Sequence, residues 1–387
     1  MTSNLALYKA IADQITTSPQ QRITFAEYMD MVLYHPEYGY YASNAVKIGL
    51  QGGDFFTSVN LGSDFGELLA EQFVQMWEIL GKPVPFYLVE MGAGQGLLAL
   101  HILQYTQQKY ADLFAGLQYL IVEKSPGLRQ EQQQRLQDLP VHWCNLEDIT
   151  PNSITGCFFA NELVDAFPVH QFIVEDRELR EIYVTLGEDG KLEEVTGEPS
   201  TPQLAAYFNL VGIDLACGGY GDGYRSEINL AALDWLSIVA DRLQQGYVLT
   251  IDYGYPASRY YNPRRSLGTL QCYYQHRHHD NPYVNLGQQD ITAHVDFTAL
   301  ERWGESCSLE KVGLTQQGLF LMALGLGNRI AALSHQEIPI SELLKRREAL
   351  HQLIDPTGLG NFGVLIQSKG LEKKHSWQIL KGLAMPE

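Results

Sequence analysis

The stretch Phe86-Tyr-Leu-Val-Glu90-Met-Gly92-Ala93-Gly94-Gln-Gly96-Leu-Leu-Ala-Leu100 constrains this chain more than any other. An apolar run ends in an acid, turns through three alternate glycines and passes directly into a helical pattern. That is the first strand, tight turn and first helix of a doubly wound α/β sheet, with a nucleotide lying across the turn. Glycine reaches backbone angles that a side chain forbids and lets the backbone approach a ligand. A dinucleotide fingerprint reads G-x-G-x-x-G and aims a helix N-terminus at a pyrophosphate. Here the order is Gly92-x-Gly94-x-Gly96, followed by Leu97. The spacing suits a ligand with an adenosine but no phosphate, of which S-adenosylmethionine is the common example, although a structural turn would use the same glycines. Glu90, Gly92, Ala93, Gly94 and Gly96 are therefore candidate cofactor contacts.

Tyr119-Leu-Ile-Val-Glu123 is a second buried strand ending in an acid. An acid at the tip of strand two is placed to accept hydrogen bonds from both ribose hydroxyls, and Glu123 is assigned that part. A third strand around Val141–Cys144 leads into Asn145-Leu146-Glu-Asp148, where an adenine would be reached, or which is simply a loop. A fourth strand, 153–160, delivers Asn161-Glu162-Leu-Val-Asp165. Reacting groups belong at this end of a strand beside an adenosine pocket, with Asn161 as a cofactor contact. Glu162 and Asp165 lie three apart, so one helical turn would put both carboxylates on one side, able to hold a cation. Helix capping and surface solvation are the plain alternative. Upstream, Gly53-Asp54-Phe55-Phe-Thr57-Ser58 reads as a loop folded over something, with Asp54, Phe55, Thr57 and Ser58 as further cofactor contacts, or as a turn and a helix cap.

The net charge of −18, from 27 basic and 45 acidic residues, argues against sequence-independent binding to nucleic acid, whose phosphates need lysine and arginine. It also argues against an anionic membrane. It is compatible with a cationic substrate, as it is with mere solubility. The five cysteines are scattered without a C-x-x-C, which disfavours a disulfide framework or zinc site and fits a reducing compartment. No basic n-region with an apolar core opens the sequence, and no stretch reaches membrane-spanning length. A cytoplasmic protein without membrane insertion is the expectation.

Along the chain, residues 4–17 are loosely helical, and Thr24-Phe-Ala-Glu27 is a capping-box pattern for a helix ending near His35-Pro36. Phe65 to Trp77 reads as another helix. The expected division is a helical cap with a cofactor-covering loop at 1–84 and a domain binding the adenosyl ligand at 85–387, with insertions at about 171–240 and 255–300. Residues 171–198 alternate as a hairpin. Gly246–Gly254 is strand five, with Asp252 at its tip. The segment 255–290, rich in tyrosine, histidine and arginine, reads as a long non-repetitive loop acting as a lid or binding loop. His276, His278 and His279 lack a spaced carboxylate partner, so no metal is expected. Asp290–Phe297 is expected to begin a helix, with Asp296 as its cap. The last strands come from Glu310 onwards and from Gly363–Ser368, with a helical pair between them.

These pieces together resemble the MidA-type methyltransferases, a family that includes the mitochondrial complex I assembly factor that methylates arginine. The matching segments are Arg22-Ile-Thr-Phe-Ala-Glu-Tyr-Met, Tyr38-Gly-Tyr-Tyr41, Gly53–Ser58, Phe65-Gly-Glu-Leu-Leu, Val89–Gly96, Asn161–Val169, Asp252-Tyr-Gly254 and Asp290–Phe297. The resemblance implies a Rossmann-like class I sheet, S-adenosylmethionine as cofactor, and symmetric dimethylation of arginine on a subunit of a respiratory NADH-dehydrogenase-type complex. A homodimer is compatible with it. Two loops depart from the family pattern: Val59-Asn60 follows Thr57-Ser58 in place of proline and glutamate, and residues 267–274 differ. An NAD(P)-dependent oxidoreductase shares the fold but not the glycine spacing. A nucleic-acid amino-methyltransferase would carry Asn-Pro-Pro-Tyr after strand four. A non-catalytic assembly chaperone that keeps the cofactor pocket is the rival from another class.

Overall fold

A computed structural model describes residues 4–42, 57–216, 219–275, 277–333, 339–371 and 378–385. The chain divides into two compact units whose segments alternate along the sequence. One comprises residues 56–163, 237–253 and 304–387, the other 1–55, 164–236 and 254–303.

The first unit is built on a seven-stranded sheet: β1 (Phe86–Met91), β2 (Leu117–Val122), β3 (Val141–Cys144), β4 (Ile154–Asn161), β5 (Leu243–Asp252), β6 (Glu310–Gln316) and β7 (Gly363–Lys369). Their spatial order is β6-β7-β5-β4-β1-β2-β3. The strands from β3 to β5 are parallel, while β7 runs antiparallel to both β5 and β6. Central parallel strands are covered on both faces, which explains the apolar runs. Phe86, Leu88 and Val89 of β1 are fully buried. Helices Asp64–Ile79 and Leu97–Lys109 contribute Phe65, Leu69, Phe73, Leu98 and Ile102 to the core around Phe159 and Leu249. Phe73 and Phe159 meet at 5.0 Å between ring centroids. Between β6 and β7 stand three helices, Gln317–Ala323, Leu326–Leu333 and Ile340–Ile354, where the sequence reading expects a pair. Gly325 at φ 106 breaks what reads as one apolar run.

The companion unit has an antiparallel sheet in which Glu178–Leu186 pairs with Arg22–Thr24, His170–Glu175 and Leu192–Gly197, and Arg225–Ile228 completes one edge. Helix Phe25–Tyr34 starts at a true capping box: Thr24 Oγ1 accepts from Glu27 N–H at 3.1 Å, and Glu27 Oε2 accepts from Thr24 N–H at 2.7 Å. The segment 255–290 is not a structureless loop. Gln271–Tyr274 pairs with both Arg277–His279 and Asp290–Thr292 in a three-stranded antiparallel sheet. Asp290 therefore opens a strand, not a helix. The helix begins at Phe297, and Asp296 caps it, accepting from Thr298 N–H at 3.0 Å and Ala299 N–H at 3.3 Å. Among the described residues, no helix is long and apolar enough to cross a membrane.

Candidate active site

In the seven-stranded unit the chain leaves β1 for β2 and β3 on one side, then returns to β4 on the other. The reversal puts a crevice at the carboxyl ends of β1 and β4, the place where open α/β sheets bind ligands. Four of the parallel strands, β1, β2, β4 and β5, deliver an acid at or just beyond that end: Glu90, Glu123, Glu162 and Asp252. Such a rim favours a cationic ligand.

The glycine turn follows β1. Gly92, Gly94 and Gly96 have φ of 70, 52 and 76°, the left-handed region. A Cβ on Gly92 would come within 2.7 Å of Leu163 Cδ1, and one on Gly96 within 3.3 Å of Gln132 and Leu136. Gly92 N–H donates to Val122 O at 2.9 Å, tying the turn to the end of β2, and Ala93 is buried beside it. Gly96 is the N-cap of helix Leu97–Lys109 and offers no side-chain oxygen to its first N–H groups.

Glu123 is held from two sides. Oε1 accepts from Ser125 N–H at 2.9 Å and Oε2 from Gln132 Nε2 at 3.1 Å. Burial raises its pKa, opposed by those donors. The Lys124 N–H is a third donor, and with two lone pairs on each carboxylate oxygen this anchoring leaves capacity for one more. Gln132 also donates to Gly94 O at 2.7 Å and accepts from Trp143 Nε1 at 2.9 Å. One fully buried glutamine thus locks the glycine turn, the β2 acid and β3 together. The sequence reading did not single it out. Its signal was a glutamine four residues after the buried Leu128, on the inward stripe. Glu90 is 3% exposed and accepts from Tyr119 O–H at 2.7 Å. Burial pushes its pKa to about 7. Leu146, buried, opens the short helical turn Leu146–Asp148, fixed by Asn145 Nδ2 donating to Asp148 at 2.7 Å.

At the end of β4, Asn161 Nδ2 donates to Glu162 Oε1 at 3.1 Å, while Asn161 Oδ1 is buried with no partner among the described residues. Glu162 N–H donates to Ile251 O at 2.9 Å, and its φ is 52°. The expected helical turn from Glu162 to Asp165 is corrected by this backbone: the left-handed residue ends the strand, and only Val164–Ala166 coils, as a 3₁₀ turn. Asp165 belongs to the companion unit, where it is 4% exposed and its carbonyl accepts from Ala293 N–H at 2.9 Å. Ser58 is fully buried and exchanges hydrogen bonds with the Gln317 amide at 3.1 and 3.3 Å, while Thr57 Oγ1 accepts from Asn60 Nδ2 at 3.0 Å. Asp54 and Phe55 lie outside the described residues, as does His276. No cluster of three metal-ligating side chains occurs among the described residues.

An adenosyl sulfonium fits this arrangement. The buried Asn161 oxygen lacks a donor, Glu123 retains acceptor capacity, the turn has bare backbone, and the strand ends are acidic.

Residues 68–315 match the family model described as "Putative S-adenosyl-L-methionine-dependent methyltransferase". A crystal structure from Burkholderia thailandensis, a methyltransferase candidate bound to S-adenosyl-homocysteine, superposes with a TM-score of 0.84 at 30% identity, covering 98% of this chain and 95% of that one. The chain is similar to the Drosophila melanogaster protein named "Protein arginine methyltransferase NDUFAF7 homolog, mitochondrial", at 29% identity over 93% of this chain and 84% of that protein. It is also similar to the human "Protein arginine methyltransferase NDUFAF7, mitochondrial", at 27% identity over 90% of this chain and 81% of that protein. These relatives are named as mitochondrial, so the expected cytoplasmic assignment does not stand. The family resemblance seen in the sequence holds, and the cofactor is S-adenosylmethionine. The chain belongs to the S-adenosylmethionine-dependent methyltransferase family.

Proposed function

We propose that this methyltransferase acts on arginine side chains of a protein, forming symmetric dimethylarginine on a subunit of an NADH-dehydrogenase-type complex during its assembly. The names of its relatives, protein arginine methyltransferases, support the acceptor. The observation that carries the reading is Glu162, an acid at the end of β4, braced by the Asn161 amide beside an orphaned carbonyl oxygen. The bound cofactor supplies an electrophilic methyl group on sulfur. Glu123 accepts from the ribose hydroxyls, while the Gly92–Gly96 turn, Ala93 and Leu146 shape the adenosine side and Asn161 accepts a further donor. Asp54, Phe55, Thr57 and Ser58 are assigned to the covering loop, and Glu90 supports the turn through Tyr119.

A guanidinium has a pKa above about 12 and is a poor nucleophile while its charge is delocalised. Glu162 accepts two of its N–H bonds, which orients one nitrogen and localises positive charge on the others. Asp165, three residues further along the chain, is assigned as a second acid for the same cation. Rate enhancement then comes from position and from fixed charge.

The test is mass spectrometry of methylarginine in cells with and without the gene, followed by incubation of the purified protein with a methyl-labelled cofactor and the candidate subunit. Symmetric dimethylarginine that disappears on deletion is expected. Label on another residue type, or an unchanged methylarginine profile, would overturn the reading.

A further inference from the structure

Between Tyr253 and Gln275 the chain carries three arginines and no acid, although acids outnumber bases 45 to 27 overall. In the companion unit two of these arginines converge on one ring. Arg259 Cζ lies 4.3 Å and Arg265 Cζ 4.6 Å from the centroid of Tyr255, and His294 stacks on the same ring at 5.1 Å and 16°. Attraction between a guanidinium and a tyrosine ring is weak at an exposed site. It does not neutralise two like charges brought this close. Among the described residues no carboxylate forms an ion pair with Arg259, Arg264 or Arg265.

The backbone presenting these groups is fixed. Arg265 Nη1 donates to the carbonyls of Arg259 and Tyr260 at 3.2 and 3.4 Å, and Arg264 N–H donates to Asn262 Oδ1 at 2.9 Å. Arg225 N–H donates to Ser266 O at 3.0 Å. Leu267, next in the chain, is 77% exposed. Arg259 and Leu267 are exposed and the half-buried Arg265 head is pinned beside them, so little ordering is left to do on binding.

We propose that the Arg259–Leu267 turn docks an acidic segment of a protein partner. Carboxylates bridge Arg259 and Arg265, and Leu267 packs against an apolar side chain beside them. The net charge of −18 repels acidic chains from most of the surface, so such a segment is directed to this patch. As the docking surface for the methylated protein it rests on the protein-methylation reading above. The binding itself does not.

The probe is a fluorescent peptide of glutamates around one leucine, titrated into the full chain and followed by anisotropy. Saturable binding is expected, weakened at least tenfold by Arg259→Glu with Arg265→Glu, and two- to fivefold by Leu267→Ser. Arg259→Gln with Arg265→Gln gives a milder loss and serves if charge reversal compromises folding. S-adenosyl-homocysteine affinity stays unchanged in all of them, which separates failure here from failure of the methylation reading. No saturable binding to the wild type, or equal binding to the double variants, would overturn the proposal. So would displacement by an equal concentration of inorganic phosphate, or tighter binding of a single-stranded RNA oligomer.

Discussion

The two units spend their buried acids differently. In the seven-stranded unit Glu123 and Glu162, half-buried at strand ends, find partners close by in sequence, Ser125 and Gln132 for the one and Asn161 for the other, while Glu90 is bonded by Tyr119 from the neighbouring strand. In the companion unit Asp296 caps its own helix, but two other buried acids draw on remote partners. Glu227 accepts from Thr269 N–H, Thr269 Oγ1, Leu270 N–H and Tyr260 O–H, and Asp290 accepts from Tyr41 O–H, 249 residues away. Glu123 keeps acceptor capacity for a ligand, whereas Glu227, which accepts from five donors, is spent on holding segments together. Spare acceptor capacity at a strand end marks chemistry, and saturation by donors from distant segments marks architecture.

Four substitutions or titrations press on that contrast. The largest effect is expected from Glu162→Gln, which keeps shape but removes charge. Turnover should fall by roughly 10³ with S-adenosyl-homocysteine affinity within a few-fold of wild type, a loss of the size seen when one electrostatic group leaves an active site. Steady-state kinetics beside a binding titration decides it, and undiminished turnover would move Glu162 to the architectural class.

Glu227→Ala should do the reverse. Removing the acceptor strands several buried donors, costing about 3–5 kcal/mol in chemical denaturation. Cofactor affinity measured below the transition should not change. A loss under about 1 kcal/mol would show that its hydrogen bonds hold little.

A titration compares the units directly, because each holds an acid whose pKa burial lifts to about 7: Glu90 in one and Asp296 in the other. Unfolded, they titrate near roughly 4.3 and 3.9. Between those values and pH 7 the folded state binds the extra protons. Stability from these groups is therefore full below about pH 4, falls as pH rises, and levels off above about pH 7. The fall is on the order of 4 kcal/mol for each. Denaturation midpoints across this range should decline in the wild type and decline less in Glu90→Gln and in Asp296→Asn. An unchanged slope in both variants would remove the effect.

The smallest effect is expected from Gln132→Leu, similar in size but unable to bond. It leaves Gly94 O and Trp143 Nε1 without their partner, costing about 2 kcal/mol, with cofactor affinity reduced about tenfold. Normal affinity would show that the glycine turn holds its shape unaided.

Much of the seven-stranded unit was legible because its signals are local. Apolar runs ending in acids gave β1, β2 and β4, and the alternate glycines gave the turn with its left-handed backbone. Capping signals at Thr24 and Asp296 were equally short-range. What escaped depends on contacts between distant segments. The strands Gln271–Tyr274 and Asp290–Thr292 lack aliphatic alternation: their register sets Gln271 opposite Thr292, Cys272 opposite Ile291 and Tyr273 opposite Asp290, whose carboxylate is bonded by the distant Tyr41. Gln132 could not be told from its polar neighbours without the glycine turn it meets. The bend at Glu162 was hidden because an i, i+3 spacing says nothing about a left-handed residue at its start.

Titration of S-adenosyl-homocysteine into wild type, Glu123→Gln and Glu123→Ala tests most directly whether an acid at the end of β2 and the glycine turn together hold the adenosine. Hydrogen bonds to a charged group are worth about 1.5–3 kcal/mol each, so Glu123→Ala should bind at least tenfold more weakly, with Glu123→Gln between. Equal affinity in all three would contradict the assignment.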